Sequence, residues 1–194
     1  MKKGLFIALA AITTGLMSFT AVQLNKWNYD NAHARLGFTV SHMTVSDCDG
    51  YFKDVTATIT SSKADLTDAV AEMTAKVASV STDNAGRDGH LQGADFFDAA
   101  KYPTITFKST SFTKSKIANG YVVKGNLTMH GVTKPVTFAT IIKQGVNPMS
   151  KKNIAGFKIT GKINRKDFGV GVDTPNAIVG DVVSIVANAE FIQE

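Results

Sequence analysis

The side chains that could do chemistry in this chain are few and scattered. Its four histidines, His33, His42, His90 and His130, stand far apart, and no His-x-x-x-His or Cys-x-x-Cys spacing sets two metal ligands side by side. Asp88 and His90 could supply two ligands, but a zinc site takes three or four. A structural hydrogen-bonding role is the plainer reading of that pair. Gly169-x-Gly171 lacks the further glycine and the helix of a dinucleotide loop, and there is no Gly-x-Ser-x-Gly elbow to present a nucleophile. Cys48 is the only cysteine, so no intramolecular disulfide can form. Its neighbours Asp47 and Asp49 disfavour a reactive thiolate. The sequence therefore leads us to expect no catalytic set, no metal and no cofactor.

The elements that would position such residues are mostly strands. Leu36, Phe38, Val40 and His42 alternate with small or polar residues, as do Val55, Ala57 and Ile59. The same period of two recurs at Ile105 and Phe107, at Phe157, Ile159 and Ile163, and from Val183 through Ile185, Ala187 and Ala189 to Phe191. That is the signature of half-buried strands. Val123, Leu127 and Met129 mark another apolar face, and Val136 and Phe138 begin the strand after it. Asn119-Gly120 and His130-Gly131 punctuate them as turns. Residues 62 to 80 fit both helical and strand spacing. From Arg87 to Lys101 charge is mixed with Leu91, Phe96 and Phe97, which predicts a compact, non-strand connection packed on something apolar. About eight strands without alternating helices must close or stack to bury one face, so a barrel or a sandwich follows.

At 194 residues the chain suits one domain with a sizeable core. Met1-Lys-Lys, the apolar run from Gly4 to about Met17 and the small residues to Ala21 read as a secretory signal peptide over residues 1–21. Cleavage falls after Thr20 or Ala21. No cysteine follows for lipid attachment, and residues 22–194 form the exported domain. Removing Lys2 and Lys3 from the 21 basic residues leaves 19 against 16 acidic ones, a net +3. The remaining lysines are dispersed, which excludes a nucleic-acid footprint; they read as a solvated exterior, with a mild, transient attraction to anionic membrane surfaces as the alternative.

Arg87-Asp-Gly-His90-Leu91, Asp95-Phe-Phe-Asp98 and Tyr102-Pro-Thr-Ile-Thr-Phe107 together resemble the signature of the YceI-like family. Asp30-x-x-His33, the run from Gly125 to Val136 and Asn164-Arg165-Lys-Asp-Phe168-Gly169 resemble it too, in the same order. The resemblance covers Asp30 to Phe191. Ala34 stands where the family usually has serine, and Gln92-Gly-Ala94 replaces its usual basic-serine arrangement. The resemblance implies an all-β, closed antiparallel, lipocalin-like barrel with short helical connections. It also resolves residues 62–80 as a helical turn at Lys63–Asp68 and a strand from Val70 to Val80.

The implied function is periplasmic: sequestering or carrying a polyisoprenoid, an isoprenoid quinone or a fatty-acid-like lipid, with envelope stress as one setting. The expected cavity wall is Phe38, Val40, His42, Phe107, Phe157, Ile159 and Ile185. Arg87, Asp88, His90, Leu91, Arg165 and Phe168 are expected as structural motif residues. Arg87 is expected to anchor one end of the barrel by pairing with Asp88, Asp95 or Asp98. Two other classes remain as alternatives. One is an enzyme on an isoprenoid or other apolar substrate, with Asp88, His90 and Arg165 as polar groups. The other is an interaction protein with a solid core. The oligomeric state is left open, a dimer being one option.

Overall fold

The computed structural model describes residues 23–194; the expected leader lies outside the described residues. Eleven strands share one sheet: β1 Asn25–Tyr29, β2 Arg35–His42, β3 Ser46–Phe52, β4 Val55–Ser61, β5 Val70–Lys76, β6 Val80–Ser81, β7 Thr104–Lys114, β8 Gly120–Met129, β9 Val132–Val146, β10 Asn153–Asn164 and β11 Val179–Gln193. A single helix, α1 (Ala85–Gln92), lies in the connection before β7. Asn84 caps it by accepting from the Arg87 backbone N–H at 2.9 Å, which satisfies one of the helix's orphan donors.

The order β1-β4-β5-β7-β8-β9-β10-β11 returns to β1 through pairs such as Tyr29↔Phe191, and the neighbours are antiparallel throughout. The sheet is thus a closed eight-stranded barrel, and closure removes the free edges on which alternating strands would aggregate. The three extra strands continue three of the eight. β11 pairs with β1 near its C-terminus and with β2 along Val179–Asn188. β3 then pairs with β2, and β6 with β3.

Local hydrogen bonds interrupt these three strands where they compete with the ladder. The Asp30 carboxylate accepts from the Ala32 N–H at 2.9 Å and starts a 3₁₀ turn, Asn31–His33. The Asp54 N–H donates to Ser79 Oγ at 3.0 Å, beside the 3₁₀ turn Val77–Ser79 that separates β5 from β6. The strand expected from Val70 to Val80 is therefore two strands around a turn. The helical turn expected at Lys63–Asp68 is instead a pair of hydrogen-bonded turns, with Leu66 N–H donating to Lys63 O and Ala69 N–H to Leu66 O.

One end of the barrel, hereafter the terminal end, carries the 62–69, 115–119 and 147–152 connections and the C-terminus. The other, the helix end, carries 43–45, 82–103, 130–131 and 165–178. Trp27, Leu66, Ile142 and Phe157 belong to a buried cluster towards the terminal end. Phe52, Val77, Phe96, Phe168 and Val170 belong to another at the helix end. Leu66 is buried and holds a left-handed φ of 56°. That conformation is uncommon for a non-glycine residue; here it accompanies the plunge of the 62–69 loop into the barrel.

Candidate functional site

Between the two clusters lies a cavity of about 220 Å³. That exceeds the ~150 Å³ apolar void known to stay dry and accept benzene. Its wall is almost entirely apolar and includes Phe38, Val40, Phe107, Phe157, Ile159 and Ile185, six of the seven residues expected there. The seventh, His42, is exposed at the end of β2 and borders a separate polar depression with Asp47, Cys48 and Arg87. The β2–β3 ladder runs unbroken to His42, so His42 keeps the parity of Phe38 and Val40, but it lies past the end of the cavity, which parity alone does not record.

Many inward residues are only half-buried: Leu36, Phe38, Val40, Met73, Phe107, Ile159 and Ile185. A solid core at native packing density would bury them. Gly50 lies directly across from Phe38 in the ladder, and an added Cβ there would collide with the Phe38 ring. The glycine leaves the ring its place on the wall. Along β11 the lining runs from Val179 to Phe191, twelve residue steps, or roughly 40 Å of strand and about 30 Å along the axis after tilt. The void is therefore long and narrow.

Polar groups at this wall are few. Thr140 is 2% exposed, and its hydroxyl has no hydrogen-bond partner among the described residues. Such an orphan is unusual in a native interior. Tyr29 also lines the cavity, and burial raises its phenol pKa. The β1–β4 ladder ends at Asn28↔Thr58 and the β2–β3 ladder begins at Leu36↔Phe52, leaving a gap in the pairing. Arg35 and Thr58 border both this gap and the cavity.

Arg165 is the one buried charged residue among the described residues, at 3% exposure. The 3₁₀ turn Arg165–Phe168 aims its guanidinium into the 165–181 connection. It donates to the carbonyls of Gly180 (3.1 Å), Val170 (3.0 Å), Thr174 (2.8 Å) and Val179 (2.9 Å), to that of Gly171, and to the Asp181 carboxylate at 2.9 Å. Burial lowers its pKa and Asp181 raises it; a guanidinium stays charged under both influences. Phe168, beside it in the same turn, is buried at 2%.

The buried, multiply bonded setting expected of Arg87 is found at Arg165. Arg87 is exposed and pairs with none of Asp88, Asp95 and Asp98. Its Nε and one terminal nitrogen donate to the Thr82 hydroxyl (2.7 Å) and carbonyl (2.8 Å). Asp88 grips the same residue, accepting from the Thr82 N–H at 2.7 Å and hydroxyl at 2.6 Å. Those bonds, the hydroxyl's first, hold the Asp88 carboxyl below its usual pKa. His90 lies edge-on to Phe96 with ring centroids 5.0 Å apart, and 3.7 Å from Asp95. Leu91, Phe96 and Phe97 pack on the helix-end core and line the cavity. No hydrogen bond or ion pair joins Asp88, His90 and Arg165 into one constellation.

Among the described residues, one group could offer three metal ligands: Asp30, His33 and Glu190. Both Asp30 oxygens are already engaged, one capping Ala32 and the other 2.8 Å from His33 Nδ1. That contact is the main cause of a raised His33 pKa. The group is accounted for by the turn it builds.

The chain matches the YceI-like domain family over residues 27–191. It is 35% identical to Protein YceI of Salmonella newport (strain SL254) over 198 residues, and 36% identical to Protein YceI of Escherichia coli O17:K52:H18 (strain UMN026 / ExPEC) over 196 residues, covering 100% of both chains in each case. Among solved structures it is similar to Burkholderia cenocepacia BcnA, with a TM-score of 0.74, 27% identity and coverage of 84% of this chain and 98% of that one. A polyisoprenoid binding domain from Saccharophagus degradans shares the fold at a TM-score of 0.64 and 17% identity, over 89% of this chain and 100% of that one. A full-length match at this identity, on a barrel of the same architecture, leaves no other assignment: the chain belongs to the YceI-like family.

Proposed function

We propose that this protein is an exported, periplasmic binding protein that holds a long-chain apolar ligand in its barrel, as a carrier or a reservoir and not as an enzyme. A polyisoprenoid, an isoprenoid quinone or a fatty-acid-like lipid fits this reading. The observation that carries it is the long apolar void whose inward side chains remain half-buried. Burial of a ligand there would complete their desolvation at about 25 cal/mol per Å² of apolar surface. Thr140 offers a hydroxyl for one oxygen of the ligand, and Arg35 and Thr58 at the ladder gap offer polar contacts for its head. The description of the Saccharophagus degradans relative as polyisoprenoid-binding accords with this.

Catalysis would need convergent acid–base or nucleophilic groups at the reacting atoms. Asp88 is bound to Thr82, His90 is exposed and Arg165 is saturated by carbonyls. Titration of lipid-stripped protein with an apolar fluorescent dye, competed by a long-chain prenol, tests the proposal. Saturable dye binding displaced by the prenol, and lost in Ile159→Asp at unchanged fold, is the expected result. Absence of any saturable dye or prenol binding would refute it.

A further inference from the structure

Both ends of the barrel expose large apolar side chains, Met43, Val45, Val172 and Ile178 at the helix end among them; the ends differ in the charge around those side chains. At the helix end the 82–103 and 165–178 connections carry Asp83, Asp88, Asp95, Asp98, Asp167 and Asp173 against four basic residues. The terminal end is the reverse. Two of its acidic groups are paired with lysines, Asp65 with Lys114 at 2.8 Å and Glu194 with Lys26 at 2.7 Å; Asp68 is held by the Ser61 and Ser62 hydroxyls and keeps its charge. Lys63, Lys116, Lys143, Lys151 and Lys152 remain exposed there with no ion-pair partner among the described residues.

Large apolar side chains protrude among these lysines. Met149, at the tip of the β9–β10 hairpin, is 89% exposed, Val146 on the same hairpin 58%, and Ile117 in the adjacent β7–β8 connection 66%. Met149 is followed by Lys151 and Lys152, and Ile117 is preceded by Lys116. An isolated exposed apolar residue needs no explanation. Apolar tips on two neighbouring loops, each flanked by unpaired lysines, make a surface suited to the headgroup–acyl boundary, where ammonium groups meet lipid phosphates and apolar tips enter below them.

We propose that the terminal end is a docking surface for an anionic lipid bilayer, seated by Met149, Val146 and Ile117 and attracted by the surrounding lysines. This rests on the lipid-carrier reading and adds to it the face that meets the donor or acceptor membrane. Docking so oriented would bring the 62–69 loop and its buried Leu66 plug to the bilayer surface. The excess positive charge would draw in an anionic leaflet over about a Debye length, so the attraction should weaken with salt.

The test is flotation of the exported, purified protein with vesicles of phosphatidylethanolamine and phosphatidylglycerol, compared with phosphatidylcholine vesicles, at low and high salt. Binding is expected to the anionic vesicles only and to fade at high salt. The Lys151→Ser/Lys152→Ser variant should weaken it about thirtyfold, and Met149→Ser should weaken it at unchanged charge. Val45→Ser, which alters an 85%-exposed residue at the helix end, should leave it unchanged. These exposed substitutions leave the core intact, and prenol binding in vesicle-free solution reports the cavity separately. Intact prenol binding with no vesicle binding would overturn the docking surface alone; loss of both would overturn the carrier reading as well. Vesicle binding insensitive to the terminal-end variants would also overturn the proposal. So would a change of oligomeric state in those variants in place of a change in vesicle binding, which would mark the surface as a contact between copies.

Discussion

Replacing Arg165 with methionine should be among the most damaging single changes in this molecule. Its guanidinium serves six acceptor contacts, five to backbone carbonyls and one to Asp181, from a side chain that is 3% exposed. Methionine fills similar space but donates nothing, so the carbonyls and the Asp181 carboxylate lose their partner together. Breaking a buried charge pair in this way costs about 3–5 kcal/mol, a large share of the ~5–15 kcal/mol stability of a whole domain. At roughly 2–4 °C per kcal/mol for a domain of this size, the melting temperature should fall by about 6–20 °C. Arg87→Ala removes two bonds to Thr82 from an exposed residue. The bonds end on buried Thr82 but come from an exposed side chain whose removal lets water approach, so the loss is about 1–2 kcal/mol. Thermal unfolding of the lipid-stripped wild type and both variants, followed by circular dichroism, decides between them. If Arg165→Met melts within about 3 °C of wild type, or Arg87→Ala falls as far, the assignment of the anchor to Arg165 is wrong.

Three further outcomes follow from the cavity and its closure. Thr140→Val removes a buried hydroxyl that lacks a partner; the stripped protein should melt at or above the wild-type temperature, while prenol or quinone binding weakens by about 1 kcal/mol, measured by dye competition. Gly50→Ala should displace the Phe38 ring and lower dye affinity more than it lowers stability; unchanged affinity would mean that Phe38 does not contact the ligand. The 62–69 loop should loosen in acid, because its carboxyls are depressed in the fold. Lys114 and Thr67 hold Asp65 at about 2 against an ordinary 3.8, and Ser61 and Ser62 lower Asp68 further still. A depressed carboxylate contributes fully above its unfolded pKa and loses that contribution as pH falls through the folded one. The protection of this loop against hydrogen exchange, taken relative to the intrinsic rate at each pH, should therefore fall between about pH 4 and pH 2, ahead of that of the barrel strands; loop protection that stays constant over that range would contradict this.

The parts of the fold most legible in the sequence were those where alternation is strict. Phe157, Ile159 and the run from Val183 to Phe191 share a face that burial requires, so their strands and inward faces follow from the pattern alone. The interruptions at Asp30 and at Val77–Ser79 were not legible, because each depends on a short side-chain or turn bond that no apolar period records. Residues 62–69 fit both helical and strand spacing, and the helical turn that the resemblance implies there is instead a looped pair of turns that buries Leu66. Arg87 and Arg165 look alike as letters. Burial separates them, and burial arises from the 165–181 connection folding back over the guanidinium. The emptiness of the barrel was equally hidden, since the same inward Phe, Ile and Val residues would also serve a solid core. It shows only in their half-buried state around the void.

The central claim, that the barrel holds a long apolar molecule, is tested most directly on the protein purified from the cells that make it. Gentle purification, organic extraction and mass spectrometry of several preparations should yield one class of long-chain lipid at up to one per chain. The same extraction of Ile159→Asp, whose buried charge is incompatible with an apolar occupant, should yield none. Wild-type protein that releases no lipid in repeated preparations, and takes up none when offered it, would contradict the account.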